Sequence, residues 1–234
     1  MLFQRYDKFS NTNSFPCLSA SNIFCNDVPI NTIYKMYVFF KFNQVICANE
    51  YALIQGLPGT GKTSTTTFLT RLLVARGKRV LLTSYTHSAV DNLLLKLKAS
   101  GMRNDSLIRI GQESSIHSGI HDLLFPNADD SQQSAWELQK RMSNARVVGV
   151  TALTIPKTPY INGQHFDFVI IDEAGQINQP ATLGAIVAAD QFVLVGDHEQ
   201  LPPIVESTLP EQKGKQQICE QTLSTTLDAF KWHY

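Results

Sequence analysis

The sequence predicts an α/β fold with a doubly wound, mainly parallel sheet and helices on both of its faces. From Tyr51 onward, short apolar segments alternate with segments of helical character, an arrangement typical of a parallel sheet with crossover helices. The apolar segments are almost continuously apolar, which indicates strands buried on both faces. With 234 residues, 43% of them apolar, the chain is long enough to bury such a core.

The first half of this region is expected to hold three strands and two helices. In chain order they are a strand at "YALIQ", a helix over Lys62–Ala75, a strand over Arg79–Thr83, a helix around Asn92–Lys98 and a strand at "LIRI". A glycine-rich turn separates the first strand from the first helix. No internal repeat or low-complexity tract interrupts the alternation.

The second half begins with a polar stretch, Gly111–Ser134, which we expect to be a surface excursion because it holds two histidines and the acidic run "NADD". A helix over Ala135–Met142, a strand over Arg146–Thr151 and two buried strands, "FDFVIID" and "QFVLVGD", follow. Residues 1–44 do not show this alternation of strands and helices, and we predict no fold for them.

Charge and composition restrict the classes of function. Twenty basic residues balance twenty acidic ones, so no global field attracts nucleic acid or membrane, and a nucleic-acid role requires local contacts. The apolar run "IYKMYVFFKF" is too short and too charged for a membrane span. The four cysteines show no metal-ligand spacing, and no signal peptide is apparent. We therefore expect a soluble intracellular protein without membrane partners.

The stretch "GLPGTGKT", Gly56 to Thr63, matches the complete phosphate-loop pattern between a strand and a helix. Its glycines let backbone amides point at phosphates, Lys62 reaches the β- and γ-phosphates, and the Thr63 hydroxyl binds Mg²⁺. A flexible glycine turn is the alternative, which the strand–helix context disfavours. The residues expected to bind nucleotide are Gly56, Pro58, Gly59, Thr60, Gly61, Lys62, Thr63 and Ser64.

Acidic residues follow the strand "FDFVIID", where α/β sheets place ligand groups. We expect Asp172 to hold Mg²⁺ and Glu173 to orient and deprotonate the attacking water. Helix capping by Asp172 is the alternative, and the phosphate loop weighs against it. The next strand delivers Asp197 and Gln200 to the same edge, where the Gln200 amide can donate to a γ-phosphate and accept from a water. For this last segment a simple polar loop stays open.

A second anion site is suggested by "TSYTHSAVDN", which runs hydroxyls and a histidine into a helix. Taken alone, Ser88 is explained as a helix cap and His87 as a surface histidine. The sequence by itself does not identify the anion.

Four motifs in this order resemble the first motor domain of the superfamily 1 helicases. They are "GLPGTGKT", "TSYTHSAVDN", "IIDEAGQINQP" and "VLVGDHEQLPP", and "RIGQESSIHSGI" is more weakly similar. Within the branch that includes RNA-surveillance helicases, the second motif looks closer to the eukaryotic DNA replication ATP-dependent helicase/nuclease family. The resemblance covers about Val45 to Val205.

The resemblance implies a RecA-like motor domain over residues 45–207, with ATP and Mg²⁺ as cofactors and Lys62, Glu173 and Gln200 as catalytic residues. It further implies that Thr86, His87 and Ser88 contact the sugar-phosphate backbone of single-stranded DNA, with RNA a weaker candidate. Ser88 is also expected to cap the following helix. A nuclear protein is implied, with mitochondria as a second compartment.

The chain departs from the family pattern at three points. The window Ile33–Phe40 lacks the family's adenine-reading glutamine, and Gln44 lies close to the loop. The second motor domain with its arginine finger is missing, so residues 208–234 are expected to be a truncated connector. The cysteines do not match the family's iron–sulfur ligands, so a cluster is expected only in a longer parent protein. We therefore expect a fragment of a larger enzyme.

Three functions follow as hypotheses. The first is a DNA helicase motor domain, and the second is a surveillance-type RNA helicase domain. The third is a nucleotide-binding module without turnover, because the second motor domain is missing. Comparing single-stranded DNA and RNA as ATPase activators separates the first two.

Overall fold

The computed structural model describes residues 42, 43, 45–48, 50–126 and 134–197. The chain divides into two compact units, residues 1–48 and residues 49–234. The few described residues of the first unit are mostly helical. The second unit contains the sheet and all the candidate site residues that the structure describes.

Seven parallel strands form one sheet in the order β1-β7-β6-β2-β5-β3-β4. The strands are β1 (Tyr51–Gln55), β2 (Val80–Ser84), β3 (Leu107–Ile110), β4 (Leu124–Phe125), β5 (Val147–Thr151), β6 (Phe166–Ile171) and β7 (Ala189–Gly196). The predicted parallel sheet is confirmed, and β1 and β3 have the predicted bounds.

Four α-helices lie in the described part of the second unit. They are α1 (Lys62–Ala75), α2 (His87–Ala99), α3 (Ala135–Asn144) and α4 (Gln179–Ile186). Short 3₁₀ turns occupy Asn104–Ser106, Glu113–Ser115, Ser118–Leu123, Ile155–Lys157 and Ala174–Gln176. Among the described residues, no helix is long and apolar enough to cross a membrane.

Helices cover both faces of the sheet, as predicted. On one face, Leu81, Val148 and Val169 belong to a core cluster with Met142 at the end of α3 and Ala185 of α4. On the other face α2 packs so closely on β5 that a Cβ at Gly149 would lie 2.8 Å from Leu94 Cδ1. Glycine at this position therefore lets helix and sheet approach each other.

The carboxyl ends of the strands meet at one edge of the sheet. Gln55 of β1 is paired with Gly196 of β7, and Thr83 of β2 is paired with Ile171 of β6. The phosphate loop, Asp172 and the β2–α2 junction consequently leave the sheet on the same side, which is where α/β sheets bind ligands.

Two predictions about the elements were wrong. The stretch Gly111–Ser134 is not simply a surface excursion, since it contributes β4 and buries Ile116, Ile120 and Phe125. The helix expected around Asn92–Lys98 begins five residues earlier, at His87, because Thr86 caps it. Helix α4 was not expected, since its apolar residues do not recur on one face.

Candidate functional site

The phosphate loop folds back on its own backbone. Gly56 N donates to Gly196 O (3.2 Å), which fastens the loop to the end of β7, and Thr60 Oγ1 donates to Leu57 O (2.7 Å). A Cβ at Gly56 would lie only 2.7 Å from Thr60 Oγ1. Gly61 adopts φ 85°, a left-handed conformation that favours glycine. The two glycines therefore make this tight loop possible.

No side chain caps the start of helix α1. Gly61 occupies the N-cap position and offers no side-chain hydrogen bond, and the first turn contains no acidic residue. Thr65 N donates to Gly61 O (3.0 Å), while the first-turn amides before it have no intrahelical acceptor. The helix thus presents amides and the positive end of its dipole toward the loop, an arrangement that suits an anion.

Lys62 is the cation of this loop. Its Nζ donates to Gly56 O (2.8 Å) and to Leu57 O (3.4 Å), so the ammonium bridges the turn. The side chain is half-buried. Neutral carbonyl partners hold an ammonium less strongly than phosphate oxygens do, so Lys62 can exchange them for an anion.

Asp172 is a buried carboxylate directly after β6. Asp172 N donates to Thr83 O (2.8 Å), which joins it to β2, whereas its Oδ1 has no hydrogen-bond partner. Burial, followed by the charge of Glu173, raises the pKa of Asp172 to about 6, while Lys62 acts in the opposite direction. A buried oxygen without a partner fits a divalent cation, which prefers carboxylate ligands. Thr63, the second expected ligand, is half-buried at the start of α1.

Glu173 stands in a turn that is packed against the end of β7. It has φ 52°, the left-handed conformation, and its carbonyl accepts from Gln176 N (3.0 Å). A Cβ at Gly175 would lie 3.0 Å from Asp197 O, and one at Gly196 would lie 3.3 Å from Gly175 N. Close backbone packing therefore fixes where Glu173 leaves the sheet. Asp197 is buried here, and Gln200 lies outside the described residues.

The β2–α2 junction carries the three residues expected to contact a strand. Thr86 and Ser88 are exposed, His87 is half-buried, and the two hydroxyls are 3.3 Å apart. Thr86 Oγ1 accepts from Ala89 N (3.2 Å) and therefore caps α2. The expectation that Ser88 caps the helix was wrong, because Ser88 already lies in the first helical turn.

Sequence reasoning missed the buried support beneath this junction. Arg109 of β3 and Asp91 of α2 are both buried and form an ion pair, with Nε donating to Oδ1 at 2.7 Å. Arg109 Nη2 also lies 3.2 Å from His87 Nδ1. In the sequence, this pair could have been found as two opposite charges that each interrupt an otherwise apolar pattern. Charged residues in such positions are rarely buried unless they are paired.

The parallel sheet, the glycine loop opening α1 and the buried carboxylate at a nearby strand end define a P-loop protein of RecA-like fold. A family model described as "AAA domain" matches residues 40–135 and 126–208. The chain therefore belongs to this AAA domain family.

Curated relatives carry a consistent name. The chain is 44% identical over 171 residues to the DNA replication ATP-dependent helicase/nuclease JHS1 of Arabidopsis thaliana, which covers 73% of this chain and 12% of the relative. It is 42% identical over 163 residues to the Homo sapiens DNA replication ATP-dependent helicase/nuclease DNA2, covering 69% of this chain and 15% of that protein. These similarities confirm the predicted resemblance. The chain spans less than a sixth of the length of either relative.

One solved structure agrees with the fold. A nuclease-deletion mutant of the Type ISP restriction-modification enzyme LlaGI, in complex with a DNA substrate mimic, superimposes with a TM-score of 0.52 at 16% sequence identity. The match covers 76% of this chain and 18% of that one. At this identity the similarity concerns the fold.

Proposed function

We propose that residues 45–207 form an ATP-binding motor domain of a DNA helicase, which couples ATP hydrolysis to movement along a single strand. The observation that carries the proposal is the buried Asp172, whose Oδ1 lacks a partner and whose charge interacts with Lys62 of the phosphate loop. The similarity to the helicase/nucleases supports DNA as the strand. Action on DNA replication intermediates would place the protein in the nucleus.

Nucleotide binding rests on the loop and the start of α1. The loop residues Gly56, Pro58, Gly59, Thr60 and Gly61 lead the chain around the phosphates, and the first-turn amides, including that of Ser64, face them. Lys62 would leave the Gly56 and Leu57 carbonyls and neutralise the β- and γ-phosphates.

Thr63 and Asp172 would hold Mg²⁺ from two sides of the site. When bound, the ion would supply positive charge that offsets the negative charge developing during phosphoryl transfer. A buried carboxylate oxygen such as Asp172 Oδ1 would gain from such a cation, because it accepts no hydrogen bond that would offset its desolvation.

Glu173 would orient the attacking water and accept its proton, since its turn is held against the end of β7. Gln200 would donate to the γ-phosphate and accept from the same water. A cation from a second motor domain would stabilise the transferred phosphoryl group, as arginine fingers do. An iron–sulfur cluster would belong to another part of a parent enzyme.

Thr86, His87 and Ser88 would hydrogen-bond the phosphates of the strand. Their contacts carry no base information, so binding should tolerate different sequences. Thr86 and Ser88 are exposed and available for such contacts.

The test measures phosphate release with and without single-stranded DNA or RNA. We expect the 234-residue chain to bind MgATP and turn it over slowly, and a chain extended by a second motor domain to show DNA-stimulated turnover. Glu173→Gln should abolish that turnover while MgATP binding persists. Stimulation by RNA alone would transfer the proposal to the RNA helicases, and absence of MgATP binding would refute it.

The strand contacts are tested separately. Replacing Thr86, His87 and Ser88 by alanine should lower the affinity for different single-stranded sequences about equally while ATP-analogue affinity stays unchanged. Loss of the ATP analogue with the strand retained would show that the two anion sites have been exchanged.

A further inference from the structure

Arg109 makes three directed contacts although it is fully buried. Its Nε donates to Asp91 Oδ1 (2.7 Å) and its Nη1 donates to Ile110 O (2.6 Å). Its third contact is Nη2 to His87 Nδ1 at 3.2 Å. Two contacts fix the guanidinium inside the fold, and the third reaches a half-buried ring at the start of α2.

The chemistry of this third contact selects one form of His87. An arginine side chain has donors and no acceptor, so Nδ1 must accept with its lone pair. The ring hydrogen of a neutral imidazole then sits on Nε2. A protonated ring carries a hydrogen on Nδ1 as well, so two donors and two positive charges would face each other.

We propose that Arg109 is a positioning residue for the strand contact: locked by Asp91, it holds His87 as the neutral Nε2–H tautomer, which donates to a phosphate of the single strand. This inference rests on the proposed function, because it assumes that the β2–α2 junction binds a strand. It assigns a role to two residues, Arg109 and Asp91, that do not touch the strand.

The surroundings of His87 agree with this role. A Cβ at Gly111 would lie 3.3 Å from Arg109 Nη1 and 3.7 Å from His87 Cε1, so glycine leaves room for the ring beside the guanidinium. Asp91 Oδ2 accepts from His117 N (2.8 Å), which joins the segment after β3 to the same pair. The arrangement is thus fixed from α2, β3 and the following 3₁₀ region.

The surroundings of the ring favour its neutral form. Burial, followed by the Arg109 charge, lowers the pKa of His87, whereas the Asp91 charge on its own helix opposes them. His117 is engaged elsewhere, since its Nδ1 accepts from Gly119 N (3.0 Å). A neutral donor adds a hydrogen bond without adding charge, so it should leave the salt dependence of strand binding unchanged.

The first test observes the tautomer in the free protein. In ¹⁵N-histidine NMR spectra we expect His87 to carry its hydrogen on Nε2 and to titrate below its ordinary pKa. The matched variant Asp91→Asn with Arg109→Met removes both charges and keeps an acceptor for the His117 amide. We expect this variant to fold, since both charges leave the interior together, and its His87 to titrate closer to the ordinary pKa. The signals of His165, which lies 3.1 Å from Asp190 and away from this junction, identify changes that are not local. An Nδ1–H ring in the wild type, or identical His87 spectra in both proteins, overturns the inference.

The second test measures strand affinity. His87→Ala and the paired variant should each weaken single-stranded DNA binding by about three- to tenfold, the effect of one hydrogen bond, and their combination should add little further loss. His87→Gln, which keeps a donor, should recover part of the affinity, and His165→Ala should have no effect. Full additivity, or unchanged affinity in His87→Ala, overturns the inference. Failure of the proposed strand site is distinguishable, because replacing Thr86, His87 and Ser88 together by alanine would then leave the strand affinity unchanged.

Discussion

The two candidate anion sites lie at helix starts on the same edge of the sheet, yet they are built differently. At the phosphate loop, Gly61 leaves the start of α1 without a side-chain cap, and the local cation rests on two backbone carbonyls. At the β2–α2 junction, Thr86 caps α2 and a buried ion pair supports His87. The first site offers bare backbone amides, and the second offers side chains that the core holds in place. A change at the first should therefore affect ligand binding, whereas a change beneath the second should affect folding as well.

The largest expected effect comes from breaking the buried pair. Arg109→Ala leaves Asp91 charged and nearly without exposure, so the free energy of unfolding should fall by about 3–5 kcal/mol. Urea unfolding measures it. As a control, Lys78→Ala breaks a partly exposed pair with Asp167 and should cost about 1 kcal/mol or less. Similar losses for the two variants would contradict the contrast between the sites.

The phosphate loop should show the opposite behaviour. Lys62→Ala removes an ammonium bound to two carbonyls, so we expect little change in stability. MgATP binding should weaken by about 1.5–3 kcal/mol, the range of a charge-assisted hydrogen bond. Titration with a fluorescent ATP analogue checks this, with Lys78→Ala as the matched control. Equal affinities in the two variants would refute the assignment of Lys62.

Asp172→Asn should stabilise the protein and remove the Mg²⁺ dependence of its nucleotide binding. The pKa of Asp172 is raised from 3.8 to about 6, so folding favours the protonated carboxyl. The resulting destabilisation is absent below about pH 4 and complete above about pH 6. At pH 7.5 the free energy of unfolding of the variant should exceed that of the wild type by roughly 2 kcal/mol. This gain is smaller than the full pKa shift gives, at about 1.4 kcal/mol per pKa unit, because the introduced amide is itself a buried polar group.

Urea unfolding at pH 4 and pH 7.5 tests this sign. The gain of Asp172→Asn over the wild type should be larger at pH 7.5, and Mg²⁺ should no longer strengthen its nucleotide binding. A gain that is larger at pH 4 would mean that another group controls the titration.

The smallest effect distinguishes the two hydroxyls of the β2–α2 junction. Thr86→Ala removes the N-cap acceptor of Ala89 N and should lower the free energy of unfolding by about 1 kcal/mol. Ser88→Ala should change it by less than about 0.5 kcal/mol, as expected at an exposed position. Thermal unfolding of both variants decides the comparison, and a larger loss for Ser88→Ala would restore Ser88 as the cap.

The sequence was most informative where one local pattern determined the structure. The short, mostly apolar runs of β1 and β3 and the helix from Lys62 to Ala75 were predicted with their observed bounds. The short β4 escaped prediction because two residues give no periodicity. Helix α4 escaped because the apolar residues among its eight positions have no preferred face.

The same distinction applies to the candidate site. The phosphate loop is one contiguous motif, so its residues were identified together and the structure places them at the start of α1. The support of His87 lies in β3, more than twenty positions away, and only the folded sheet brings Arg109 beneath α2. Long-range pairs of this kind require the topology, because no local spacing encodes them.

The pairing of β1 with β7 determines when the nucleotide site can form while the protein is being synthesised. Tyr51 lies beside Phe192, so the strand that carries the phosphate loop joins the sheet through the last strand of the described part. Contacts of such high sequence separation form late, because a long loop must close first. A ribosome translating this domain would release the whole nucleotide motif early, but Gly56 would have no Gly196 carbonyl to bind until the final strand emerged. A nascent chain halted before Ala189 should therefore contain the motif and still fail to retain nucleotide.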